Sequence, residues 1–328
     1  MTCERCGKEA EVSHVPVLCL EVVEYLAPRP GGLYVDGTVG LGGHARAILE
    51  ASSPDGFLLG IDRDREAVEI ARRRLEEAGY AGRFRLVHDS YHDLPAVLAR
   101  SEIPEGEVDG ILLDLGVSSL QLDEPGRGFS YQEEGPLDMR MDRDGQTLTA
   151  REILNTWPER EIARILKEFG EERWAERVAQ FIVTSRQRRP LAVTSDLVTV
   201  IKDAIPAGAR RRGGHPARRT FQALRIAVNQ ELDFLAGALR AAVGALRRGG
   251  RIAVISFHSL EDRTTKQTFA DLARGCTCPP ELPVCGCGKS PLLKLLTRRP
   301  VSPGPGEEEA NPRSRSARLR VAERVGSF

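Results

Sequence analysis

No stretch of about 18 apolar residues occurs in the chain, so no segment reads as a membrane-crossing helix. No basic segment followed by an apolar one opens the N-terminus, so no export leader is expected and the cytoplasm is the expected compartment. Net charge is missing too. The 47 Lys+Arg balance 47 Asp+Glu, which argues against a surface that is basic all over and leaves contact with polyanions to local patches. Without an export signal, the seven clustered cysteines read as thiols or metal ligands rather than disulfides, and pairing would leave one over. What is present is 328 residues, 41% hydrophobic, enough for one large or two modest globular domains.

Short apolar runs at Leu33–Val39, Phe57–Asp62, Phe84–His88, Gly110–Leu115 and Arg251–Phe257 predict strands buried on both faces. Helical runs fall between the early ones; Arg63–Ala78 places Ala67, Ile70, Ala71 and Leu75 on one face. The alternation predicts an α/β fold, a mostly parallel Rossmann-like sheet with helices on both sides. It stops from about Leu122 to Ala217, where no strand is convincing. There Thr149-Ala-Arg-Glu152 reads as a capping box, Pro158 opens a helix carrying Ile162, Ile165, Leu166 and Phe169, and Asp196–Ala204 repeats that stripe. A long helix, Phe221–Leu246, then returns the chain to the sheet. The expected organisation is a discontinuous nucleotide-binding domain, residues 14–121 and 218–328, with an all-helical domain, 122–217, inserted after its fourth strand and an extension at 1–13. Leu292–Thr297 is a candidate strand, and Arg318–Val325, with Leu319, Val321 and Val325 among charged neighbours, suits an antiparallel edge strand.

The densest chemistry lies in Asp36-Gly-Thr-Val-Gly-Leu-Gly-Gly-His44, which follows the first strand, and in Asp62, twenty residues past Gly42 at the end of the second. Glycines let a backbone approach a ligand closely, and a carboxylate so placed can accept both hydroxyls of a ribose. Gly40-Leu-Gly42-Gly-His-Ala45 satisfies the dinucleotide pattern, which keeps an NAD-linked oxidoreductase open; read from Asp36, the run is close to the acidic loop of S-adenosylmethionine (SAM) enzymes. Asp114 follows four apolar residues at the end of the fourth strand, where a buried acid must be used, paired or serve as a helix cap. Ser256-Phe-His258-Ser-Leu-Glu-Asp-Arg263 stands at the same end of the fifth strand.

Together with His14-Val-Pro-Val-Leu, Asp114-Leu-Gly-Val-Ser-Ser, Gly128-Phe-Ser, Gly135-Pro-Leu-Asp-Met-Arg-Met, Arg219-Thr-Phe-Gln-Ala-Leu-Arg and Asn311-Pro-Arg-Ser-Arg-Ser-Ala, these runs closely resemble the MraW/RsmH family of bacterial 16S ribosomal RNA cytosine N4-methyltransferases. The resemblance implies a SAM-dependent domain with a late antiparallel strand, an inserted helical domain, and the N4 of a cytidine in the decoding region of the small ribosomal subunit as methyl acceptor. It implies that Gly42, Gly43 and His44 line the SAM site, that Asp62 holds the ribose, and that Tyr91, Asp114 and Gln121 complete the pocket. Tyr91 stands where the family has Phe, a swap that keeps the ring. A non-catalytic RNA-binding or ribosome-assembly protein with a SAM pocket is the alternative.

An exocyclic amine needs its N–H bonds accepted before it attacks, so Asp114 is the first candidate for that role and His258 the second. No cysteine follows the fourth strand, which speaks against the covalent thiolate that C5 methylation requires. The Asp/Asn-Pro-Pro-aromatic run of many amino-methyltransferases is absent, leaving Phe129, Tyr131 and Phe257 as candidates to hold a flipped base. Two arginine tracts, Arg186/Arg188/Arg189 and Arg210/Arg211/Arg212/Arg218/Arg219, are the expected RNA contacts, by a monomer or homodimer. Cys276-x-Cys278 and Cys285-x-Cys287 fit zinc less well than C-x-x-C pairs, of which Cys3-x-x-Cys6 is one, so metal-free thiols are expected, with zinc on the four tail cysteines as the alternative.

Overall fold

The computed structural model describes residues 16–210, 214–276, 278, 286–287 and 289–326. Seven strands, β1 (Leu33–Asp36), β2 (Phe57–Asp62), β3 (Phe84–His88), β4 (Val108–Asp114), β5 (Leu246–Ser256), β6 (Leu293–Leu295) and β7 (Arg318–Arg324), form one sheet in the order β3-β2-β1-β4-β5-β7-β6. The first five are parallel, and β7 runs antiparallel to both β5 and β6. Strand order reverses between β1 and β4, so a crevice opens beyond their carboxyl ends, at Asp36 and Asp114.

Side-chain alternation sorts each strand onto two apolar layers. Tyr34, Leu58 and Leu112 pack with α1 (Cys19–Leu26), α2 (Gly43–Ala51) and α3 (Arg65–Glu77). Val35, Leu59 and Ile111 face the other way, onto α4 (Leu94–Arg100) and helices later in the chain. After β4 come α5 (Ser119–Asp123), α6 (Ala150–Thr156), α7 (Glu159–Glu168), α8 (Ala175–Arg188), α9 (Thr194–Ala204), α10 (Ala207–Arg210) and α11 (Arg218–Asn229), with no strand among the described residues between β4 and β5. A third apolar cluster unites Ile153, Ile165, Val178 and Leu197 of this block, and it runs past residue 217 through Phe221, Leu224 and Val228 of α11. α12 (Leu235–Ala245) returns to the sheet beside α13 (Ser259–Ala273), and α14 (Pro305–Ala310) precedes β7. Among the described residues no helix is long and apolar enough to cross a membrane.

Two expectations are corrected. The long helix over Phe221–Leu246 is broken at Gln230, which sits at φ 52°, and Leu246 already belongs to β5. The cause is Asn229, fully buried: its amide donates to Met139 O (2.7 Å) and accepts from Met141 N (2.8 Å), while Arg63 takes its carbonyl (2.8 Å). Nor is β7 an edge strand; β6 covers it. Its charged Arg320 is buried and held by Asp262 at 2.7 and 3.0 Å, so the charge marks an ion pair rather than a solvent face.

The glycine-rich runs after β4 are explained by a crossing of two backbones. A Cβ on Gly128 would stand 1.9 Å from Pro136 O, and one on Gly135 1.9 Å from Pro125 O. Beside this crossing Arg127, 2% exposed, donates to Asp64 (2.6 Å) and to Met141 O (3.0 Å), fastening the insertion to the N-cap of α3. Removing one partner of a buried ion pair costs about 3–5 kcal/mol, because the other charge is left without compensation. Arg127→Ala is therefore expected to lower the unfolding free energy by that order in denaturant titration, and Asp64→Asn/Arg127→Met to recover much of it. A loss below about 1 kcal/mol for Arg127→Ala, the range of an exposed pair, would remove the pair from this role.

Candidate functional site

A cavity of about 420 Å³ opens at the crevice and continues under α11. This lies within the roughly 300–1,000 Å³ usual for small-molecule sites. Its floor is the loop from Gly37 to His44. Asp36, 1% exposed, ends β1 beneath it and bonds Thr38 N (3.1 Å), and the Thr38 hydroxyl accepts from Asp114 N (2.6 Å), locking loop to β4. Asp62 reaches up from β2, accepting from Gly40 N (2.7 Å) and Asp64 N (2.9 Å). Each carboxylate oxygen keeps lone pairs for a further donor.

Of the residues singled out in the sequence, Gly43, His44, Asp62, Tyr91, Asp114, Gln121 and His258 all line this cavity. Gly42 does not; at φ 85° a Cβ there would meet Ala71 of α3 at 3.3 Å, so its missing side chain serves helix packing. Gln121 is engaged at both ends, donating to Asp64 (3.1 Å) and accepting from Ser118 N (3.1 Å). Phe129, Tyr131 and Phe257 also border the cavity, and the Tyr131 ring already stacks on His215 at 4.6 Å.

The electrostatics turn on one imidazole among three acids. His44 Nε2 lies 3.5 Å from Asp114 Oδ2, an ion-pair distance. Burial opposes charge on His44, but the Asp114 carboxylate, the Cys19 side chain and Asp36 outweigh it and push its pKa up to about 10. Burial pushes Asp36 up to about 7 and Asp62 to about 6, the latter restrained by its backbone N–H donors. Asp36 Oδ2, beneath the floor, and Asp114 Oδ1, on the cavity lining, are buried with no hydrogen-bond partner, so Asp114 is the one of the two that faces a ligand.

On the opposite wall is a network of which the sequence marked only His258 as a candidate site residue. Arg225 forks onto Glu231 at 2.9 and 2.7 Å and lies 4.0 Å from Glu261. Glu261 takes Phe257 N (2.8 Å) and stands 3.1 Å from His258 Nε2. Burial opposes ionisation of Glu261, but His258 and Arg225 hold it below the usual carboxylate range. Glu231, His258 and Glu261 are close enough to share a metal, yet Arg225 already neutralises the carboxylates. At the rim Arg313 forks onto Asp123, closing the C-terminal segment over α5.

The arginines separate. Arg186 caps Leu154 O (2.8 Å) and Arg189 pairs with Asp196 (2.8 Å), so both have structural work in the insertion. Arg219 donates to Glu171 O (3.0 Å). Arg218 is exposed at the cavity mouth, and Arg210 is exposed on α10. Arg211, Arg212 and Cys285 lie outside the described residues, as do Cys3 and Cys6. Cys276, Cys278 and Cys287 come together away from the cavity lining.

A histidine whose folded pKa exceeds its free value adds stability that is complete below pH 6.5 and lost as pH rises through about 10. The melting temperature of the wild type should fall across that window more steeply than that of His44→Gln. Parallel curves would mean that His44 carries no charge.

The MraW methylase family model matches residues 11–325. Over 315 residues the chain is 58% identical to ribosomal RNA small subunit methyltransferase H of Heliobacterium mobile, spanning 96% of this chain and 100% of that protein. It is 54% identical over 314 residues to the protein of the same name from Halothermothrix orenii, spanning 96% and 99%. It is 57% identical over 308 residues to the one from Symbiobacterium thermophilum, spanning 94% and 95%. A family match over nearly the whole chain, residues 11–325, places this chain in the MraW methylase family.

Proposed function

We propose that this chain transfers a methyl group from SAM to the exocyclic N4 of a cytidine in the decoding region of 16S rRNA within the small ribosomal subunit. The observation that carries the reading is continuity: one cavity runs from the glycine loop and Asp62 to Tyr131, Phe257 and Arg218. Donor and acceptor would share it, as an in-line displacement requires. The printed names of the relatives, all small-subunit rRNA methyltransferases, support the class of substrate.

The residues present fit SAM. Gly40 and Gly43 expose backbone on the cavity floor, Asp62 offers lone pairs for the ribose hydroxyls, and the Tyr91 ring borders the cavity for the adenine. When bound, SAM supplies an electrophilic methyl group on a sulfonium. Asp114 Oδ1 has the open lone pairs to accept an amine N–H, which concentrates electron density on N4 and receives its proton. His44, whose Nε2 lies 3.5 Å from Asp114 Oδ2, orients that carboxylate for the task. His258 is the weaker candidate: its Nδ1 accepts from Glu261 N (3.4 Å) and its Nε2 stands 3.1 Å from the Glu261 carboxylate, so both ring nitrogens are directed at Glu261. In this reading His258 positions α13 rather than taking a proton. Tyr131 and Phe257 border the region where a flipped base would lie.

Labelled methyl from SAM, offered with small subunits lacking the modification, should be recovered as N4-methylcytidine. Asp114→Asn should lower kcat by about a hundredfold or more at saturating SAM. Asp62→Asn should weaken SAM by about tenfold or more. In the wild type, SAM affinity should drop as pH falls through about 6, where Asp62 takes up its proton. SAM binding with no transfer would instead mark a non-catalytic assembly protein, and full turnover in Asp114→Asn would sink the assignment of Asp114. Arg218 is expected to meet a phosphate, so Arg218→Ala should reduce the salt slope of subunit binding by about one. Equal slopes would exclude that contact.

A further inference from the structure

The thiols of Cys276, Cys278 and Cys287 lie within 4.8 Å of one another, on the segment that joins α13 to β6. Cys287 Sγ is 3.7 Å from Cys276 Sγ. A disulfide would need about 2.05 Å. Thiolates placed about 2.3 Å from a tetrahedral ion stand roughly 3.8 Å apart, close to the Cys276–Cys287 separation. Cys276 Sγ also accepts from Cys278 N (3.4 Å), the kind of backbone bond that orients and stabilises a metal-bound thiolate. The ends of the segment are fastened independently, since Leu292 N donates to Leu272 O (2.8 Å). The cluster is therefore presented by a fixed loop base.

We propose that Cys276, Cys278 and Cys287 form a structural binding site for a thiophilic divalent cation, zinc by its chemistry, which clamps the loop between α13 and edge strand β6. Three sulfurs and no carboxylate select a borderline-soft ion over magnesium or calcium. Binding converts thiols to thiolates and releases their protons to solvent; no electron moves. The fourth position of the tetrahedron is left for water or another donor. The site is separate from the cavity and from the Glu231–His258–Glu261 cluster, so it stands or falls independently of the methyl-transfer reading.

The test uses the full chain purified under reducing conditions. Elemental analysis is expected to find stoichiometric zinc, released by a thiol-specific mercurial. Protein reloaded with cobalt should show thiolate-to-metal charge transfer and the visible bands of a tetrahedral ion. Cys278→Ser and Cys287→Ser should each lower metal affinity by about tenfold or more. His258→Ala, which disrupts the other metal-sized cluster, should retain the metal and the cobalt spectrum. The proposal is overturned if reduced wild-type protein neither retains zinc nor gives these bands with added cobalt. It is equally overturned if His258→Ala abolishes the spectrum while Cys278→Ser preserves it. The first of these outcomes is read on the wild type alone, and circular dichroism of the variants shows that the second is read on folded protein.

Discussion

Parallel strands deliver their carboxyl ends to one side of the sheet, and here three of those ends are aspartates. Asp36, Asp62 and Asp114 finish β1, β2 and β4, neighbours around the point where strand order reverses. Gathering three acids in a half-enclosed place is unfavourable unless something compensates. Compensation comes from His44, from backbone N–H groups of the loop that Asp36 and Asp62 hold, and from the Thr38 hydroxyl, which donates to Asp36 while accepting from Asp114 N and so ties loop to β4. The loop conformation, the start of α2 and the shape of the cavity floor all follow from that arrangement. It is a site that folding leaves incompletely satisfied, with an acceptor on Asp114 still open on the cavity lining.

The insertion is held to this floor by polar contacts as well as apolar packing. Asp64, two residues past Asp62, receives both Arg127 and Gln121; Arg63, between them, holds the carbonyl of Asn229. Asn229 in turn reads the backbone of Met139 and Met141, whose side chains belong to the helical cluster. Three consecutive residues, Asp62 at the end of β2 and Arg63 and Asp64 just after it, therefore serve the loop, α11 and the insertion. Any relative movement of the two parts would strain the turn that carries Asp62.

Local patterns made much of this legible. The glycine loop, Asp62 and Asp114 stand at strand ends that apolar runs define, so the residues that meet at the crevice could be named from spacing. What spacing could not reveal is set by distant partners. Phe221–Leu246 is rich in helix formers throughout, and its break comes from Asn229 bonding to residues about ninety positions earlier. Arg320 looks like a solvent-facing charge on an edge strand until Asp262, 58 positions away, is placed against it. Arg186 and Arg189 resemble an RNA-binding tract by composition, yet helix ends nearby claim them. Gly42 sits in a ligand-binding run, but its φ of 85° and the close approach of Ala71 on another helix are what favour glycine there. The Arg225–Glu231–Glu261–His258 wall joins two separate runs through a helix break, and no single window of sequence contains it.

The order of the last three strands carries a consequence for how the molecule is made. β6 precedes β7 along the chain but lies beyond it in the sheet, so β7 must slot between β5 and β6. Until β7 emerges, β5 presents an open edge along its apolar run Ile252–Ile255, the kind of unpaired strand that templates unwanted pairing between chains. Vectorial synthesis thus leaves the centre of the sheet unguarded while most of the protein is already out. The strand synthesised last of the seven is the one that seals it, and a chain stalled short of β7 would be an aggregation hazard rather than a slightly weakened enzyme.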